Sequence, residues 1–107
     1  MAFLTMPIRN DIPAYREQVE LEGTLFFFDF RYSERSERWY MDILDVDENI
    51  ILAGIKMLIN LPLIYRFVGE NLPKGDFICI DESGNNNQPD RSNWAGDVIL
   101  LYRESTT

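Results

Sequence analysis

The chain contains no histidine. That removes the commonest general base, the commonest metal ligand and the usual pH switch. Cys–His and Ser–His–Asp nucleophile systems are therefore impossible within it. It has one cysteine, Cys79, so it forms no intrachain disulfide and is no secreted disulfide scaffold. Between Ile78 and Ile80, that cysteine reads as a buried small hydrophobe. Positive charge is also scarce: 10 Lys and Arg face 18 Asp and Glu, a net charge of −8 over 107 residues. Such a balance disfavours a phosphate backbone as partner. The nearest approach to a basic cluster, Arg31, Arg35 and Arg38, is interspersed with Asp29, Glu34 and Glu37. No apolar stretch reaches the roughly 18 residues of a membrane span. The longest, residues 50–64, is broken by Gly54, Lys56, Asn60 and Pro62. The N-terminus lacks a basic n-region, so the expectation is a soluble protein without a cleaved leader and without a membrane partner.

What is present is hydrophobic content of 46%, ordinary for a globular domain, in a length that suits one core. Pro7 and Pro13 disfavour helix near the N-terminus and push their predecessors toward extended geometry. Residues 1–14 are expected to be an extended arm, 15–103 a single β domain and 104–107 a tail. Phe26, Phe28, Phe30 and Tyr32 occupy alternate positions, with Asp29 and Arg31 between them, a period of two with one aromatic face. Trp39, Met41 and Ile43 repeat the pattern after the polar link 33–38, which predicts a β-hairpin. Further strands are expected at 17–21, 50–55, 76–80 and 97–103, with turns at Glu22-Gly23, 45–49 and 72–75. The strand 50–55 is apolar on both faces and reads as buried on both sides. Gly54 within it suggests a bulge or a close backbone approach. Residues 62–67 are the one expected helix, with a proline in its first turn. The fold class is mainly β: a small antiparallel β-barrel or sandwich of about six strands with one short helix.

Three constellations invite chemistry. Asp45-x-Asp47-x-Asn49 opens like a calcium loop, but Ile50 and Lys56 stand where such a loop needs glycine and a bidentate glutamate. It reads as an acidic hairpin turn, and no metal or cofactor is expected. The groups Asp42/Asp45/Asp47 and Asp81/Glu82 are what chance gives in so acidic a chain. A carboxylate hydrolase would also need a cleft between them, so no enzyme activity is expected. The polar stretch 83–96 is no phosphate loop, because no Gly-Lys-Ser/Thr ends it. Loops beyond about 12–15 residues are usually functional or disordered. Two readings stay open for it: a docking loop anchored by Arg91 and Trp94, or a flexible loop whose Trp94 tucks back onto the domain. Leu25 and Phe27, on the second face of the aromatic strand, are a candidate protein contact. Phe3, Leu4, Ile8, Arg9 and Ile12 are the contact candidates of the arm.

The order of these segments carries a resemblance. Val19-Glu20-Leu21-Glu22-Gly23 is followed by Phe30-Arg31-Tyr32-Ser33-Glu34-Arg35 and by Trp39-Tyr40-Met41-Asp42-Ile43 leading to Asp45-Val46-Asp47. Then come Leu52-Ala53-Gly54-Ile55, Leu72-Pro73-Lys74-Gly75, Ile80-Asp81 with the Ser83-Gly84 loop, and Gly96-Asp97-Val98-Ile99-Leu100-Leu101-Tyr102. From about Ile12 to Tyr102 the chain resembles the plug proteins in the baseplates of contractile-tailed bacteriophages. Glu48-Asn49 replaces the Asp-Gly frequent in that family's second turn, and the first eleven residues lie outside the pattern. The resemblance implies a structural virion protein without enzyme activity, made in the host cytoplasm and located in the tail baseplate. It implies several copies in a symmetric assembly, wedged among tube, hub and wedge-type subunits. Such a subunit is expected to make sparse contacts at its arm and its 83–96 loop until both order in the assembly. The alternative is an acidic soluble binding module, such as a phage-encoded inhibitor of a host factor with a basic surface.

Overall fold

The computed structural model describes residues 3–64, 67 and 71–104. Among these residues are seven strands: β1 (Phe3–Thr5), β2 (Ala14–Leu21), β3 (Thr24–Ser33), β4 (Arg38–Leu44), β5 (Ile50–Lys56), β6 (Asp76–Asp81) and β7 (Val98–Arg103). They form two antiparallel sheets, β2-β3-β4-β5 and β1-β7-β6. The architecture is a sandwich, not a closed barrel.

The aromatic alternation sets the larger sheet. In the β2–β3–β4 register Tyr15 faces Phe30, and Phe30 faces Met41; one rung on, Glu17 faces Phe28 and Phe28 faces Ile43. Phe26, Phe28, Phe30, Trp39, Met41 and Ile43 thus line one buried face. The smaller sheet answers with Phe77, Cys79, Val98, Leu100 and Tyr102. The two faces meet edge-on at Phe28 and Phe77, ring centroids 5.6 Å apart, a geometry that aromatic quadrupoles favour.

Four expectations change. The arm includes a strand: β1 pairs with β7, and Met6 is buried at 2% exposure with its N–H on the Leu100 carbonyl at 2.8 Å. Pro7 bars helix but leaves the three residues of β1 free to pair. Pairing of β2 starts well before residue 17, because the Pro13 carbonyl already accepts the Tyr32 N–H at 2.8 Å.

No helix occurs among the described residues; of the helix expected over 62–67, Tyr65 and Arg66 lie outside them. The backbone donors there serve β6 instead: Leu63 N–H reaches the Phe77 carbonyl, and Ile64 N–H the Asp76 carboxylate, both at 2.9 Å. Finally, β5 is not buried on both sides. It ends the larger sheet and pairs with no strand but β4, and only Ile55 of its residues is buried.

Two glycines are required for different reasons. Gly54 has φ +72°, and its N–H donates to the Asp42 carboxylate at 2.7 Å where the β4–β5 register shifts. A Cβ there would meet open space, so the demand is conformational. At Gly75 a Cβ would run into the Arg103 carbonyl oxygen and the Tyr102 ring. The Gly75 N–H donates to the Tyr102 hydroxyl at 2.7 Å, and that hydroxyl donates in turn to Glu22. Burial and the Glu22 carboxylate both push the Tyr102 phenol well above its ordinary range.

Candidate interaction surfaces

The polar loop between β6 and β7 is built on aspartate turns. Asp81 accepts the Ser83 hydroxyl at 2.7 Å, the Asn87 N–H at 2.8 Å and the Ser83 N–H at 2.9 Å. Asp90 accepts the N–H groups of Ser92 and Asn93 and the Ser92 hydroxyl, all within 2.9 Å. The Ser83 hydroxyl, with the two N–H groups, holds the Asp81 carboxyl below its ordinary value of 3.8. For Asp90 burial acts upward, but the summed hydrogen bonds outweigh it and the net shift is down.

Those turns deliver Trp94 into the core. It is 0% exposed and stacks on Trp39 with centroids 5.3 Å apart. Each indole N–H finds a partner: Trp94 donates to the Tyr15 hydroxyl at 2.9 Å, and Trp39 to the Asp90 carbonyl at 3.0 Å. As a docking anchor Trp94 is therefore corrected. Its large apolar body is worth more between the sheets, and its polar tip is satisfied there. Arg91 is half-buried, donates to the Asn10 carbonyl and lies over the Trp39 ring.

The arm is tied to the same cluster. The Arg9 N–H donates to the Tyr15 hydroxyl at 3.0 Å, and the Arg9 guanidinium lies over the Tyr15 ring. The hydrogen bond from Arg9 is the main reason the Asp11 carboxyl is lowered to about 2. Ile8 packs against the core, whereas Phe3, Leu4, Arg9 and Ile12 are exposed. Arm and loop are thus held by the domain and by each other, contrary to the expected sparse contacts.

On the outer face of the larger sheet, Leu25 and Phe27 are half-buried. Arg16 lies over the Phe27 ring at 5.4 Å while pairing with Asp29 at 2.6 Å and with Glu48. Arg31 pairs with Asp42 at 2.7 Å and covers Tyr40. The face is tiled by paired charges. Beyond it stand two apolar side chains absent from the candidates above: Val46, 54% exposed, and Ile50, 64% exposed. An apolar residue inside an acidic turn was the available signal for Val46. For Ile50 that signal was concealed, because an apolar edge strand and a buried one read alike.

The remaining chemistry is structural. Asp45 closes its own turn, accepting the N–H groups of Asp47 and Asn49, each at 2.9 Å. Burial pushes the Cys79 thiol up to about 12, and its sulfur lies 4.0 Å from that of Met57. A hollow of about 110 Å³ is lined by Phe3, Pro62, Asp76, Phe77, Ile78 and Arg103. Its one carboxylate, Asp76, is spoken for by the N–H groups of Ile64 and Phe77. Among the described residues, no group of three or more Cys, Asp or Glu is placed to hold a metal ion.

No curated protein matches the chain at a significant level. The family model of the cyanophage baseplate Pam3 plug gp18 matches residues 3–105, and so takes in β1 and the arm as well as the rest of the domain. The chain belongs to this family of phage baseplate plug proteins.

Proposed function

We propose that this baseplate plug protein works without catalysis, as a subunit held in several copies against the tail tube, the hub and wedge-type neighbours. Its family makes it a structural component of the virion's tail baseplate. In the finer reading it is made in the host cytoplasm and built in during tail assembly. The observation that carries the reading is the match over residues 3–105, nearly the whole chain. Two features support it. Of the carboxylates grouped along the sequence, Asp42, Asp45 and Asp81 each hold a backbone turn or bulge together. On the outer face Arg16 pairs with Asp29 and Glu48 and Arg31 with Asp42, so arginine already meets much of the acidic charge there that a basic host factor would need.

The test is quantitative mass spectrometry and cross-linking of purified particles. The expected result is this chain at a constant multiple of the other baseplate proteins, cross-linked to tube and hub. Its absence from particles, or recovery bound only to one host protein, overturns the reading.

A further inference from the structure

A sheet edge is a row of unpaired backbone donors and acceptors, and natural domains guard such rows with charge, shortness or a covering segment. Three of the four edges here are guarded. Along β2 stand Arg16, Glu17, Gln18 and Glu20. The strand β1 has only three residues. The edge of β6 is covered by the segment after β5: Asn60 N–H reaches the Cys79 carbonyl and Leu63 N–H the Phe77 carbonyl, both at 2.9 Å.

The fourth edge, β5, has none of these. Its first four residues are Ile50, Ile51, Leu52 and Ala53, and no charge appears before Lys56. Among the described residues, no backbone hydrogen bond reaches its outer side. Ile50 and Ala53 are exposed, and exposed Val46 continues the apolar surface into the preceding turn. The register against β4 shifts twice, between Ile50 and Leu52 and between Leu52 and Ile55; the open run is short, over residues 50–53, and the first shift lies within it.

We propose that this edge receives, as an added strand, a short extended segment of another baseplate polypeptide that alternates apolar residues with Lys or Arg. Main-chain hydrogen bonds supply affinity in such strand addition, and alternate side chains supply specificity. The apolar members would cover Ile50 and Ala53. The basic members would face Asp47 in the turn at the start of the strand: there Asp45 holds the Asp47 and Asn49 N–H groups and Glu48 pairs with Arg16, whereas Asp47 is in no ion pair among the described residues. A second copy fits less well, since each brings a net charge of −8 to the contact. The donor's identity rests on the baseplate reading above; the open edge does not.

The probes are two synthetic peptides, one alternating Lys and Val, one alternating Glu and Val, each in excess over the purified chain. Amide exchange over residues 50–56 should slow at least about threefold with the Lys-Val peptide and remain unchanged with Glu-Val. Ile50→Lys should abolish the slowing and leave the melting temperature as it was. Slowing by both peptides equally, by neither, or undiminished in the Ile50→Lys variant overturns the proposal. Slowing that grows with protein concentration alone makes a second copy the occupant and also overturns it. If the Lys-Val response holds while the chain is missing from purified particles, the baseplate reading falls and the edge remains.

Discussion

The two ends of the larger sheet use their residues in opposite ways. At one end a polar loop, rich in Asn, Asp and Ser, carries Trp94 into the core against Trp39, Tyr15 and Phe30. At the other, the apolar stretch that opens β5 leaves Ile50 in solvent. Polarity along the chain reports which backbone groups need partners; it does not report which side chains end up inside. In the loop, aspartates satisfy the backbone at tight turns, and so let one tryptophan reach the interior. In β5 the position of the strand within the sheet decides exposure.

The strongest test of this contrast pairs two truncations. Trp94→Ala should cost about 3–5 kcal/mol by opening a cavity beside Trp39, whereas Ile50→Ala should stay within about 0.5 kcal/mol. Denaturant melts of both variants check this, and similar losses would erase the distinction between the two ends. Gly75→Ala comes next. Its Cβ meets backbone and a buried ring, so a loss of about 1–3 kcal/mol is expected, with the β6–β7 amides exchanging faster. Smaller, and opposite in sign, is Ala95→Gly: Ala95 sits at φ +64°, and relieving that conformation should raise stability by about 1 kcal/mol in the same melts.

The smallest effect is with acid. Asp45, Asp81 and Asp90 all titrate below their ordinary value in the fold. Their contribution is therefore present above the unfolded value near 3.8 and is lost as pH falls through the lower folded values. The melting temperature should drop as pH falls from about 5 to about 3, and the Asp81→Asn variant should blunt that drop. An unchanged melting temperature would show that these turns hold without their charge.

Much of this fold was legible in the sequence where one face had to be buried. The period of two in Phe26, Phe28 and Phe30, answered by Trp39, Met41 and Ile43, left one pairing that places all six side chains inside. The turn at Glu22-Gly23 was legible for the same local reason; at Gly54 the sequence offered a bulge or a close backbone approach, and the register shift with open space around the Cβ position selects the first. What was hidden depends on distant partners. β1 is too short to show a period, and it exists because β7 offers an edge. Pro62 suggested a first helical turn, but the Leu63 and Ile64 N–H groups pair with β6. Of the contact candidates, Trp94 moved inside and Arg91 turned toward Asn10 and Trp39, since both answer to the hairpin. Phe3, Leu4, Arg9 and Ile12 remained at the surface.

Cys79 lies between the sheets, fully buried, its thiol held in the protonated form. Only a thiolate is alkylated quickly, so the native protein should be silent to maleimides and iodoacetamide. Its slow labelling then counts openings of the sandwich, a clock already installed at the centre of the domain. A cysteine placed on the surface, for a fluorophore or a spin label, would react alone with the native thiol left where it is.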